Sequence, residues 1–279
     1  MSEAATEDRQ KVLSSAHAVL IGQSVELTHI AGTTLGEGNT SNRAVQILLA
    51  IHADPGASPS KLADRLGLAR SAVARAISTL EDRGLVLRRS DRQDRRVMHL
   101  TITEAGRGRI ELFERELARY FGSVAPNVQE LLDAWQGERL VLAKGHVAAL
   151  AAASALASTG GAYVQDVQAA LEPFGISHPA DRFAISLLNE RKGLQPVQLA
   201  RALRLTTGGV SQLVDRLEAR NLVRRTHLSG GDRRAVVITL TDRGDEAAAV
   251  MLDALDAHAP AIRKALALIT RVEQIPGAA

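Results

Sequence analysis

Residues 59–89, PSKLADRLGLARSAVARAISTLEDRGLVLRR, return 137 positions later as residues 196–226, PVQLARALRLTTGGVSQLVDRLEARNLVRRT. The two stretches share 12 of 31 positions. A second block, residues 94–106 (DRRVMHLTITEAG), returns as residues 232–244 (DRRAVVITLTDRG) with 6 of 13 identical and one extra residue in the intervening loop. Together these are 18 identities in 44 columns, against roughly three for unrelated segments, so the chain contains a duplication.

Each copy reads as the same string of elements. Ser58-Pro59 is a helix start, with Ser as the cap and Pro at the first helical position. Leu62, Ala63 and Leu66 give that helix an apolar face, and Gly67-Leu68 makes a tight turn. The spacing predicts a second helix over residues 70–82 with Val73, Ile77 and Leu80 inward. A short helix, a tight turn and a second helix form a helix-turn-helix. Gly84 suits a left-handed residue closing the second helix, and Asn221, its counterpart, is the usual substitute there. Residues 85–89 and 97–102 are β-rich runs around a polar tip, a hairpin or wing. Thr103-Glu104 then starts a helix expected to reach about residue 121.

Around the first copy, helices are predicted over residues 6–30 and 43–52, separated by a Gly/Thr/Asn-rich loop at 32–42. The second copy repeats the order over 183–190, 196–203, 206–219, 222–226 and 235–240. Its lead-in spans about 145–171 with a candidate break at Gly160-Gly161, preceded by an amphipathic piece at 128–135. A boundary near Gly137 gives two domains, 1–137 with its head at 43–106 and 138–279 with its head at 182–244.

Composition narrows the class. Of 279 residues 46% are hydrophobic but only 3% aromatic, so the core must be aliphatic and helix is favoured. No apolar run is long enough to span a bilayer, and the polar N-terminus is unlike a signal peptide. A soluble, cytoplasmic protein with no membrane partner is expected. There is no cysteine, which excludes disulfides and thiolate chemistry. Net charge is +3, yet residues 61–106 carry +4 and residues 198–244 carry +5. Two basic segments on an acidic remainder fit a polyanionic partner.

The ordered signature Leu80-Glu81-x-Arg83-Gly84-Leu85-Val86, Asp94-Arg95-Arg96, Thr101-Ile102-Thr103 and Gly106 occurs twice. Its second form is Asp215-Arg216-Leu217-Glu218, Asn221-Leu222-Val223, Asp232-Arg233-Arg234, Thr239-Leu240-Thr241 and Gly244. This resembles the MarR family of winged-helix transcription regulators, strongly over both heads and only by order and length in the flanking helices. The resemblance implies a mainly α fold with small β-wings. Tandem winged helix-turn-helix domains would share a helical, dimerisation-like core, a single-chain pseudo-dimer.

It also implies double-stranded DNA as the partner, with the second helix of each head in the major groove and the wing in the adjacent minor groove. Carried over, Asp94 supports Arg96 and Asp232 supports Arg234, with Arg92, Arg95 and Arg233 beside them; a narrow minor groove draws in guanidinium. The competing reading of each wing is a solvated tip held by a weak surface ion pair.

Base edges are met from the first turns of the recognition helix. The outward candidates in the first head are Arg70, Ser71, Ala74 and Arg75, and an arginine there pairs with guanine or touches phosphate. The same columns of the second head hold Thr207, Gly208, Ser211 and Gln212, behind Thr206 as cap. Gln212 suits adenine; alternatively this head has drifted and only holds phosphate. Two unlike heads predict an asymmetric operator.

The resemblance further implies repression relieved by a small-molecule effector, for which no residue can be named. The rival function is a co-regulator or interaction module in which one head serves packing. The chain is expected to act as a monomeric pseudo-dimer, with further self-association left open. No enzyme, cofactor or metal is expected. Gly36-Glu37-Gly38 lacks the strand and helix of a dinucleotide site, and the eight histidines lack ligand spacing. Trp135 and Tyr163 are read as packing residues.

Overall fold

The computed structural model describes residues 3–35, 42–90, 98–135, 145, 147–227 and 236–273. The fold is mainly α with two small antiparallel sheets. It divides into two compact units that are interleaved along the chain. One comprises Glu26–Ser123, His146–Ser154 and Val272–Ala279 and holds the first head. The other comprises Met1–Val25, Val124–Gly145 and Ala155–Arg271 and holds the second. The halves 1–137 and 138–279 are drawn by the duplication instead, and residue 137 lies outside the described residues.

The first head runs α2 (Asn42–Ala53), α3 (Pro59–Leu66), α4 (Arg70–Asp82), β1 (Val86–Ser90), β2 (Met98–Ile102) and the start of α5 (Glu104–Ala134), after the N-terminal helix α1 (Glu3–Thr34). Ser58 caps α3 by accepting from the Lys61 N–H, with Pro59 in the first turn. Gly67 closes it in the left-handed region. On α4, Ala72, Val73, Ala76, Ile77 and Leu80 are buried, the stripe its helical period demands. β1 and β2 pair antiparallel from Val86 opposite Ile102 to Ser90 opposite Met98. Gly56 donates to the Leu100 carbonyl (2.9 Å) and Leu100 to that of Ala57 (3.2 Å), so the α2–α3 connection is hydrogen-bonded to β2.

The second head repeats this with α7 (Pro179–Arg191), α8 (Pro196–Leu203), α9 (Thr207–Ala219), β3 (Val223–His227), β4 (Val236–Leu240) and α10 (Asp242–Ala257). Its α7–α8 connection meets β4 through an isolated bridge between Leu194 and Ile238, at 3.0 and 2.8 Å. Gly84 (φ 67°) and Asn221 (φ 56°) both adopt the left-handed conformation that their columns predict.

The long helices depart from expectation. α1 extends past residue 30 because Ala31, Thr34 and Leu35 are buried, which draws Gly32 into the helix. α5 does not stop near 121; it runs through Pro126 and absorbs the separate piece expected at 128–135. A proline inside a helix costs about 3 kcal/mol. Here the apolar face of Phe113, Leu117 and Phe121 continues as Val128, Leu131, Leu132 and Trp135, all buried, and offsets that loss. α6 (Ala149–Leu171) is likewise unbroken at Gly160-Gly161, where burial of Leu156, Tyr163, Val167 and Leu171 outweighs the weak helical preference of glycine. α11 (Ala259–Ile269), absent from the expected elements, closes the described chain.

α1, α5 and α6 each supply buried residues to both units: Leu13, Ala16, Leu20 and Ile21 of α1 to one, Ile30 and Ala31 to the other. Among the described residues no helix is long and apolar enough to cross a membrane.

Candidate nucleic-acid interface

The columns expected to face outward on α4 and α9 are solvent-exposed. On α4, Arg70, Ser71, Ala74 and Arg75 are all exposed, on the side opposite the buried stripe. Among the described residues neither Arg70 nor Arg75 forms an ion pair, so both guanidinium groups are available to a polyanion. On α9, Thr207, Gly208, Ser211 and Gln212 are likewise exposed, over buried Val210, Leu213, Val214 and Leu217. α4 starts at Ala69 without a side-chain cap, whereas Thr206 caps α9 by accepting from the Gly209 N–H at 3.1 Å. A side chain at Gly208 would meet nothing within 4 Å, so the backbone at that position faces open space.

Arg92, Asp94, Arg95 and Arg96, and likewise Asp232, Arg233 and Arg234, lie outside the described residues. What the structure shows is how each hairpin is anchored. Arg88 on β1 pairs with Glu81 on α4 at 2.9 Å. The equivalent Arg225 on β3 pairs with Glu218 and, at 2.7 Å, with Asp215, both on α9. One basic residue in each head is therefore occupied in tying strand to helix, a role the sequence reading did not assign to the Leu-Glu-x-Arg signature.

The Thr-x-x-Gly pair has a structural role as well. The Thr103 hydroxyl donates to the Gly84 carbonyl at 2.7 Å and accepts from the Gly106 N–H at 2.8 Å. The Thr103 N–H donates to the Leu85 carbonyl at 3.1 Å. Thr241 does the same with Asn221 (2.6 Å), Gly244 (3.2 Å) and Leu222 (3.2 Å). The helix after the wing is thereby locked to the end of the recognition helix, and with it the base of the hairpin.

Below each recognition helix the heads differ. In the first, Asp54 after α2 receives Lys61 at 2.8 Å and Arg65 at 3.4 Å. The hydrogen bond from Lys61, reinforced by both positive charges, holds its carboxyl below the usual range. In the second, Asp181 in the first turn of α7 is fully buried and takes Arg216 at 2.8 Å and Arg220 at 2.9 Å. The burial patterns of α2 and α7 coincide at the 137-residue spacing, which sets Ala44 opposite Asp181 and Thr79 opposite Arg216. In the sequence this site shows only as an acid where the repeat has alanine, and the burial that sets Asp181 apart emerges from the fold.

A second polar cluster lies in the core of the unit holding the second head. His17 of α1 is buried, with Nε2 2.8 Å from the Tyr163 hydroxyl and Nδ1 2.6 Å from that of Ser186. The Tyr163 hydroxyl also donates to the Met251 carbonyl at 3.3 Å, so its oxygen accepts from Nε2–H and Nδ1 accepts from Ser186. Burial pushes the His17 pKa down to about 4 and raises that of Tyr163. Tyr163 and Trp135 are both buried, as packing residues are.

Residues 41–98 match the MarR family model and residues 175–235 match a second MarR family model. The HTH-type transcriptional repressor MdtR of Bacillus subtilis is 35% identical over 75 residues, covering 27% of this chain and 47% of that protein. The uncharacterised HTH-type transcriptional regulator YdgJ of Bacillus subtilis is 33% identical over 91 residues, 33% of this chain and 55% of that protein. The matched stretches thus span about half the length of these relatives. Among solved structures, the YusO protein of Bacillus subtilis aligns with 30% identity over 36% of this chain and 72% of that one, at a TM-score of 0.30.

Proposed function

We propose that this chain, which carries two MarR-family winged helix-turn-helix segments in tandem, is a double-stranded-DNA-binding transcription regulator whose two unlike heads read one asymmetric operator. The observation that carries this is the pairing of exposed, base-accessible faces on α4 and α9 with the same buried scaffold, twice in one polypeptide.

In this reading Arg70, Ser71, Ala74 and Arg75 face one half-site, and Arg70 or Arg75 donates two hydrogen bonds to guanine O6 and N7. Thr207, Gly208, Ser211 and Gln212 face the other, where Gln212 pairs with adenine N6 and N7 and the bare backbone at Gly208 approaches the duplex closely. Arg96 and Arg234, supported by Asp94 and Asp232, enter the flanking minor grooves, with Arg92, Arg95 and Arg233 on phosphate. The repeats 1–137 and 138–279 act as the two halves of a pseudo-dimer, each supplying one head to the operator.

The output proposed is repression, as the name of the relative MdtR states for that protein. Release by a small-molecule effector completes the scheme.

Selecting bound fragments from the source genome, then footprinting the full chain on them, tests this reading. Two dissimilar half-sites are expected. Arg96→Ala and Arg234→Ala should each weaken binding and reduce its salt slope by about 1. Unchanged affinity and slope in both variants would remove the wing mechanism. Equal protection of two identical half-sites would remove the asymmetry and leave a fused homodimer equivalent. No bound fragments at all would favour a co-regulator.

A further inference from the structure

Asp181 is the one fully buried carboxylate among the described residues, and both its oxygens are taken by arginines of the recognition helix: Oδ1 by Arg216 at 2.8 Å and Oδ2 by Arg220 at 2.9 Å. A buried charge is tolerated only when paired and hydrogen-bonded, so the geometry of these contacts is strongly enforced. Arg216 on α9 and Arg220 at its C-cap stand four residues apart, and two anchor points one turn apart fix both the rotation and the sliding of a helix. Arg216 also donates to the Gln212 carbonyl at 3.3 Å, which brings the anchored region to a residue of the reading face. Gly175, before α7, lies beside Arg220: a Cβ there would come within 3.3 Å of its Nε.

In the first head Ala44 and Thr79 occupy the columns of Asp181 and Arg216 while Arg83 keeps that of Arg220, and the Thr79 hydroxyl donates to the Arg75 carbonyl of its own helix. The two recognition helices differ in a second respect. α4 begins Arg70-Ser71-Ala72, whereas α9 begins Thr207-Gly208-Gly209, whose two glycines weaken the first turn by roughly 1 kcal/mol each. The helix with the weak reading turn is the one clamped further along.

We propose that Asp181 is a positioning residue of the second head alone: through Arg216 and Arg220 it seats α9 so that Gly208 and Gln212 face their half-site. This rests on the proposed DNA-binding function, and the test separates the two. Asp181→Asn keeps the shape of the side chain and removes its charge. The double variant Asp181→Ala/Arg216→Thr installs the residues of the first head.

With the full chain free of DNA, amide hydrogen exchange over residues 210–217 should quicken at least tenfold in Asp181→Asn while residues 73–80 stay unchanged. On a selected operator, protection of the second half-site should need at least tenfold more protein, with the first half-site within twofold. The double variant should regain the melting temperature of the natural chain and still bind the second half-site at least fivefold more weakly, which a merely structural acid would not produce.

Unaltered exchange in α9, equal loss at both half-sites, or full recovery of second-site binding in the double variant each overturns the assignment. If the natural chain protects no DNA, the proposed function falls, while the exchange comparison still decides whether Asp181 holds α9.

Discussion

Gly106 and the Leu85 carbonyl approach so closely that a Cβ at Gly106 would overlap the oxygen, and Gly244 stands in the same relation to Leu222. The glycine that recurs in both repeats is therefore required by a backbone crossing. Gly106→Ala and Gly244→Ala should each destabilise their head by about 1–3 kcal/mol, the usual cost of overpacking a rigid contact. Gly108, two residues along the same helix, is exposed and has open space around it. Gly108→Ala should stabilise by about 0.5–1 kcal/mol. Urea titrations of the three variants decide this; equal effects at 106 and 108 would show that helix propensity, and not contact, governs the position.

The threonines of the same motif each satisfy a helix N-terminus and the carbonyl that ends the recognition helix. Thr103→Ala and Thr241→Ala should lose about 1–2 kcal/mol apiece, at the upper part of the range for a cap because a second hydrogen bond goes with it. Thermal melts report the loss. Serine at either position should recover most of it, since only the hydroxyl is engaged.

His17 makes stability depend on pH. Its folded pKa of about 4 lies below the ordinary 6.5 because burial disfavours the charged ring. The unfolded chain binds a proton in that interval and the folded chain does not. The contribution is fully present above pH 6.5 and is lost progressively as the pH falls toward 4. Between pH 7.5 and 5 the loss should be roughly 2 kcal/mol. Denaturant midpoints at those two values measure it, and His17→Asn should flatten the difference. A wild-type profile as flat as that of the variant would mean the imidazole is hydrated.

The two reading faces should respond to different operators. Arg75→Ala should weaken the first half-site by about 1–3 kcal/mol and leave the second alone, with Gln212→Ala doing the reverse. Gly208→Ala adds a good helix former in open space and should stabilise the protein by about 1 kcal/mol. It should nevertheless weaken the second half-site if backbone meets DNA there. Quantitative footprints on operators scrambled in one half separate these effects.

Much of each head was legible because its signals are local. The buried stripe of α4, the Ser58-Pro59 start and the left-handed Gly84 and Asn221 each follow from residues within one turn. The long helices were less so. The Gly160-Gly161 pair reads locally as a break, and Pro126 falls in the gap between the two pieces expected there, yet tertiary burial of Val128, Trp135, Tyr163 and Val167 carries both helices through. In the interface, the outward columns of α4 and α9 could be named from periodicity. Asp181 could not, because it looks like an ordinary acidic residue in a first turn, and its partners Arg216 and Arg220 stand 35 and 39 residues away. His17, with Ser186 169 residues distant, is hidden for the same reason.

The interleaving of the compact units makes the repeat and the folding unit different things. Ser14 and His17, from before the first head, hydrogen-bond Asn189 and Ser186 inside the unit of the second. A gene cut between its duplicated halves would send that strut away with the wrong fragment. Neither product would hold a complete core, although the two expressed together could recombine one from the other. A lineage that threads its first helix into its second copy has therefore made the heads dependent on each other: neither can be inherited alone with its core complete.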